Sequence, residues 1–219
     1  MRSHFDQQLQ LLNSEMREMG ALCEDAIALA SKALSENSKE LAAKVSPIAS
    51  ALDQKERDVE NICLKLLLRQ QPVAGDLRQI SAALKMITDM ERIGDQAEDI
   101  AEIVCYMQGS SQKETELFNS MARSVIQMVT DSVDAYVKQD LELAKNVIAH
   151  DDVVDDDFEK VKKSLVDIIV REPDMGGFAL DMLMIGKYFE RIGDHATNIA
   201  EWVIYSVTGV HKSEELIKD

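Results

Sequence analysis

The chain has little of what most folds and most enzymes require. It has three cysteines, Cys23, Cys63 and Cys105. They are odd in number, far apart and outside any CxxC, which argues against a disulfide framework or a structural zinc site. They read as small buried hydrophobes of a reducing compartment. Three prolines, nine glycines and 5% aromatics leave little for hairpins and much for helix. No apolar run reaches the roughly 18 residues that a membrane span needs. The opening MRSHFDQQLQLLNSE lacks the apolar core of a secretion signal, so a cytoplasmic protein is expected. Basic residues are scarce: 24 against 40 acidic ones, a formal net charge of −16. Such a chain lacks the basic footprint that nucleic acid or an anionic membrane surface would need, but it suits cations and basic partners.

Catalytic signatures are missing too. The residues three before His4, His150, His195 and His211 include no glutamate, so the ExxH pair of a ferritin-like di-iron site is absent. His150-Asp151 stands alone as an HD dipeptide. No serine or cysteine nucleophile motif and no glycine-rich phosphate loop occurs. The chain is expected not to be an enzyme.

What the sequence does contain is a repeat. ERIGDQAEDIAE, from Glu91 to Glu102, returns as ERIGDHATNIAE, from Glu190 to Glu201, with nine of twelve positions identical at an offset of 99. At about 100° per residue, Glu91, Asp95, Glu98 and Glu102 fall within about 60° of one another. Ile93, Ala97, Ile100 and Val104 fill the opposite sector. In the second copy Glu190, Asp194, Thr197 and Glu201 face away from Ile192, Ala196, Ile199 and Val203. Each copy is an amphipathic helix with a core stripe and an opposed row of carboxylates.

The rest of the chain follows the same plan. Helical spacing runs from about Phe5 to Ala33, and Ser35–Ser38 supply turn and N-cap chemistry. A second helix reaches about Gln70, with Pro47 marking either a kink or a late start. Gln71-Pro72 closes it. A third opens near Pro72–Asp76 and runs to about Met107. Gly109, Ser110 and Ser111 mark the domain boundary. Helices over about Thr115–Lys138 and Leu141–Val170, a turn at Pro173 and Gly176-Gly177, and a helix to about Thr208 complete the second half. The expectation is all-α: two tandem three-helix bundles over residues 1–109 and 112–211, with a polar tail over 212–219.

Glu91 with Asp95, and Glu190 with Asp194, are carboxylates at i and i+4, a spacing at which two side chains converge on one cation and otherwise repel. Asp99 and Asn198 extend the row by a turn. The preceding helices carry Asp53, Glu56 and Glu60 in the first half and Asp152, Asp155, Asp156 and Glu159 in the second. Oxygen donors without thiolate suit magnesium, manganese or iron, with zinc less natural. Solvated acidic faces that bind nothing remain the alternative. Gly94 and Gly193, each costing about 1 kcal/mol relative to alanine in mid-helix, serve either close helix packing or the approach of a metal or partner. Arg92 and Arg191 read as local partners of the carboxylates, and His195 as a polar neighbour rather than a ligand.

RQQPVAGDLRQI from Arg69, MERIGDQAEDIAE from Met90 and FERIGDHATNIAE from Phe189 resemble the signatures of the PhoU family, accessory proteins of phosphate-specific transport. The resemblance spans essentially the whole chain. It departs at REPDMGGFALD, where the family often repeats a PVAxDLR-like stretch. It implies tandem three-helix bundles in a cytoplasmic homodimer. It also implies a negative regulator of phosphate uptake and of the phosphate-starvation response, acting between the ATPase subunit of the Pst ABC transporter and a sensor histidine kinase. Its E/DxxxD motifs imply metal ions, including multinuclear iron, at Glu91, Asp95 and Asp99 and at Glu190, Asp194 and Asn198; the spacing of acids on the preceding helices adds Asp53, Asp152 and Asp155 as further candidates. Asn198 in place of an acid implies unequal occupancy. The competing expectation is a helical carboxylate-bridged metalloenzyme or metal-storage protein, and a third is a scaffold that binds no metal.

Overall fold

In the computed structural model, residues 2–70, 72–107 and 112–210 are described, with side chains over 5–68, 72–107 and 115–210. Six long helices carry the fold, and no strand occurs among these residues. They are α1 (Arg2–Glu36), α3 (Val45–Gln70), α4 (Ala74–Tyr106), α5 (Gln112–Lys138), α6 (Leu141–Arg171) and α7 (Gly176–Thr208). A one-turn α2 (Lys39–Ala42) precedes α3, and a 3-10 turn (Pro173–Met175) precedes α7.

Local chemistry sets these boundaries. Asn37 takes a left-handed φ of 47° after α1, and the Ser38 side chain caps α2 by accepting from the Leu41 amide. The second half repeats the device, with Gln139 at φ 53° and the Asp140 side chain accepting from the Leu143 amide. Pro47 produces a late start, not a kink. The chain turns at Ala43-Lys44, and α3 begins at Val45, which leaves Pro47 in the first turn, where its missing N–H costs nothing. The expected boundary at Gly109–Ser111, Gln71 and the tail beyond Val210 lie outside the described residues.

In each half three long helices pack on one another: α1, α3 and α4, then α5, α6 and α7. The two triplets are fused through α4 against α7 and α1 against α5. The first of these contacts is antiparallel: Arg78 meets Ser206, Asp89 meets His195, and Tyr106 stands beside Asp181. The second is antiparallel as well, with Gly20 against Val133, Glu24 bonded to Thr130 and Ser31 bonded to Asn119. One hydrophobic cluster runs through both halves. The apolar stripes of both repeated stretches are fully buried in it, from Ile93 to Val104 and from Ile192 to Val203. Burying one such side chain contributes about 1.5–3 kcal/mol, so these stripes fix the rotation of α4 and α7 and turn their carboxylates outward. Cys23 and Cys63 are fully buried and Cys105 partly so; all three thiols are free.

Candidate metal centre

The first repeated stretch lies on α4 beside α3. Asp53 of α3 joins Glu91 and Asp95 of α4, and one carboxylate oxygen from each can be chosen so that all three lie within 4.8 Å of one another. All three are partly buried. Burial, with Asp95 next and Glu56 and Asp53 beyond it, raises the Glu91 carboxyl above its ordinary range, while Arg92 opposes this. Arg92 is the local partner expected: its Nη1 lies 2.9 Å from Asp95 Oδ2 and its Nε 3.4 Å from Glu91 Oε2. Thr88 donates to Glu56 Oε1 at 3.2 Å and ties the next acid of α3 into the same edge.

Gly94 owes its place to packing. A Cβ there would stand 2.6 Å from Leu52 Cδ1, so glycine is what lets α3 approach α4 and bring Asp53 to Glu91 and Asp95. Gly193 differs. Its Cβ would meet Asp151 Oδ1 at 3.2 Å, so an acid of α6 lies over the repeat-equivalent glycine of α7.

Asp151 is therefore the residue that sequence reasoning missed. The offset of 99 maps Asp53 onto Asp152, yet Asp151 faces α7. Its carboxyl is pushed up to about 6 by burial, then by Asp194, Asp155, Glu190 and Asp152. The i, i+4 pair Asp151/Asp155 was the available signal. Asp155 and Asp194 are raised by burial and then by Glu190, and Lys187 opposes both. Lys187 Nζ also donates to Glu190. The second cluster is thus Asp151, Asp155, Glu190 and Asp194, with Asp152 at its edge and a lysine among them.

Asp99 and Asn198 face the seam between the halves. Burial is the largest influence raising Asp99, followed by Glu102, and Arg191 of α7 opposes it. The Arg191 charge thus reaches Asp99 across the seam, behind burial and the three neighbouring acids in its effect. Asn198 Nδ2 donates to Asp89 Oδ1 at 3.2 Å, and His195 Nδ1 lies 2.9 Å from the same oxygen. His195 is a seam partner, as a polar neighbour would be. Thr197 Oγ1 and Gln96 Oε1 are buried without a hydrogen-bond partner among the described residues.

The chemistry of the donor set fits a hard cation. Three carboxylates from two helices supply oxygen, with no thiolate or imidazole, and their mutual repulsion is what a cation would relieve. Magnesium, manganese or iron suit such donors better than zinc. The assembly so far is a doubled helical bundle, each copy carrying an outward cluster of carboxylates where its ERIGD helix meets the preceding helix.

Comparison with known proteins gives this class a family. The PhoU domain model matches twice, over residues 16–104 and 118–203. The chain belongs to the PhoU family. It is 35% identical over 211 residues to the phosphate-specific transport system accessory protein PhoU homolog of Clostridium acetobutylicum, covering 95% of this chain and 96% of that one. It is 34% identical over 207 residues to the homolog of the same description from Pseudomonas aeruginosa, covering 94% and 86%. The crystal structure of PhoU from Pseudomonas aeruginosa superposes with a TM-score of 0.88 at 34% identity, covering 94% of this chain and all 100% of that one. The regulatory protein PhoU from Streptococcus pneumoniae shares the fold, with a TM-score of 0.85 at 24% identity.

Proposed function

We propose that this chain is a non-enzymatic accessory protein of phosphate transport, restraining phosphate uptake and the phosphate-starvation response from the cytoplasm. The observation that carries the reading is the family match over both halves, with ERIGD and its carboxylates in place in each. The relatives from Clostridium acetobutylicum and Pseudomonas aeruginosa are named accessory proteins of phosphate-specific transport. In the finer form of the proposal, the chain is a homodimeric adaptor between the ATPase subunit of the Pst transporter and a sensor histidine kinase. Hard cations at Asp53, Glu91 and Asp95 and at the Asp151, Glu190 and Asp194 cluster would order its acidic face. No helix among the described residues is long and apolar enough to cross a membrane, which agrees with a partner that docks on a transporter rather than forming part of it.

The test is complementation. In a host lacking its own family member, a phosphate-starvation reporter is expressed in phosphate-rich medium, and this chain is expected to silence it. A reporter that stays high while the folded chain is present refutes the proposal. The convergence of Asp53, Glu91 and Asp95 also suits a carboxylate-bridged metalloenzyme or a metal store. Phosphoester turnover lost in Glu91→Ala would favour the enzyme.

A further inference from the structure

The acidity of the chain stops at one end of the molecule. From Glu159 to Lys187, through the close of α6, the 3-10 turn and the opening of α7, five acids are matched by five bases. This stretch is neutral in a chain whose formal net charge is −16. It also leaves apolar side chains in solvent: Val166, Ile169 and Val170 on α6 and Leu180 and Met184 on α7, each between 38% and 76% exposed.

The helix register joins these side chains into one face. α6 and α7 run antiparallel, with Asp151 over Gly193 and Phe158 against Gly186. Lys162 of α6 and Lys187 of α7 both reach the Phe158 ring, at 4.9 Å and 5.9 Å from its centroid. Val166 and Val170 follow Lys162 at steps of four, while Met184 and Leu180 precede Lys187 by three and seven. Residues at such steps share a helix face, so two apolar rows run side by side from that ring to the α6–α7 turn. Tyr106, exposed beside Asp181, extends them onto the end of α4. The core does not call for these residues, because Val161, Leu165, Met182 and Ile185 already fill it from the same helices.

A contiguous apolar face rimmed by charge marks a docking surface, and charge decides what docks. Over most of its surface a chain this acidic repels its own kind. At the neutral end two copies can approach, and in a two-fold contact the bases of each stretch can pair with the acids of the other. The hairpin of the first half exposes Leu64, Leu68, Val73 and Leu77, but it lacks this balance. Between Glu60 and Thr88 two acids stand against four bases, so two copies meeting there would set like charges together. Because α4 and α7 are antiparallel, that hairpin lies at the opposite end. Joining it to the α6–α7 end would propagate head to tail instead of closing.

We infer that the apolar face at the α6–α7 end is the surface on which a second copy of this chain docks, by a two-fold contact centred on Leu180 and Met184. The inference rests on the homodimer of the proposed function and names its interface. It leaves both carboxylate clusters outside the apolar centre of the contact and open to their own ligands.

The experiment is sedimentation equilibrium of the full chain over a range of concentrations, with helicity checked by circular dichroism. The wild type is expected to be a dimer. Leu180→Glu/Met184→Glu should raise the dimer dissociation constant at least about a hundredfold, since two central apolar contacts are lost and each occurs twice. Leu180→Ser/Met184→Ser, which adds no charge, should shift it in the same direction. Leu68→Glu/Leu77→Glu should leave the dimer intact. A wild-type dimer unmoved by either change at Leu180 and Met184 would overturn this interface and leave the homodimer standing. A wild type that stays monomeric throughout would overturn both. Open-ended polymers dispersed by Leu68→Glu/Leu77→Glu would replace the two-fold contact with a head-to-tail one and overturn the inference.

Discussion

Identical glycines at repeat-equivalent positions should respond in opposite ways to the same substitution. Gly94→Ala and Gly193→Ala each gain about 1 kcal/mol of helix propensity. At Gly94 the new methyl would stand 2.6 Å from Leu52 Cδ1, and Leu52 is fully buried, so its side chain has no solvent to swing into. Either Leu52 leaves its rotamer or α3 shifts outward, an overpacking cost of about 1–3 kcal/mol. The net effect is a destabilisation of about 1 kcal/mol. At Gly193 the methyl would meet Asp151 Oδ1 at 3.2 Å, and a half-buried carboxylate can yield by a few tenths of an ångström. There the propensity gain survives, and the variant is neutral or more stable by up to about 1 kcal/mol. Urea unfolding followed by far-ultraviolet circular dichroism, with equal slopes, reads the difference. A cycle with Leu52→Ala adds a check: that truncation, costing about 2–5 kcal/mol alone, should cost about 1 kcal/mol less beside Gly94→Ala. If Gly94→Ala proved as stabilising as Gly193→Ala, the packing account of the first glycine would be wrong.

Three further outcomes follow from the same geometry. The Asp151 carboxyl is raised to about 6 in the fold, so its favourable contribution is complete below the ordinary carboxylate value and is lost as pH rises through about 6. Asp151→Asn should therefore gain on the wild type above pH 6, by about 1 kcal/mol after discounting for solvent screening, and show no advantage near pH 4. Thermal melts across that range decide it, and a flat difference contradicts it. Burial raises the Cys63 thiol to about 12 and the Cys23 thiol further, so a thiol reagent should find at most Cys105 in the native protein; rapid loss of three thiols would refute this. Asp89→Ala removes the partner of both His195 and Asn198 and should cost about 1 kcal/mol in urea unfolding. No change would mean that the Asp89 hydrogen bonds add nothing to the other contacts of the seam.

How far these features could be read in advance depended on their period. The helices were legible because buried residues recur every three or four positions over long stretches, and Ile93–Val104 and Ile192–Val203 lie in the core as that spacing requires. Glu91, Asp95, Glu190 and Asp194 were legible from the repeat. Asp53 was among the acids of the facing helix, but its convergence with Glu91 and Asp95 depends on how closely α3 approaches, which Leu52 over Gly94 sets. Asp151 was missed because the repeat offset pointed to Asp152, while the rotation of α6 against α7 turns its neighbour inward. Asp99, Asn198 and His195 sit on the right helices, but their facing depends on the α4–α7 contact, a long-range feature with no period of its own. The influence of the Arg191 charge on Asp99 escaped for the same reason.

In the proposed function the carboxylate clusters are ligand sets. The most direct measurement is the metal content of protein purified without chelator, wild type beside Asp95→Ala/Asp194→Ala, after incubation with iron, manganese or magnesium. The account predicts bound metal in the wild type and its loss in a double variant that remains helical. Equal metal in both, or none in either, would contradict it and leave the acidic faces as solvated or partner-facing surface.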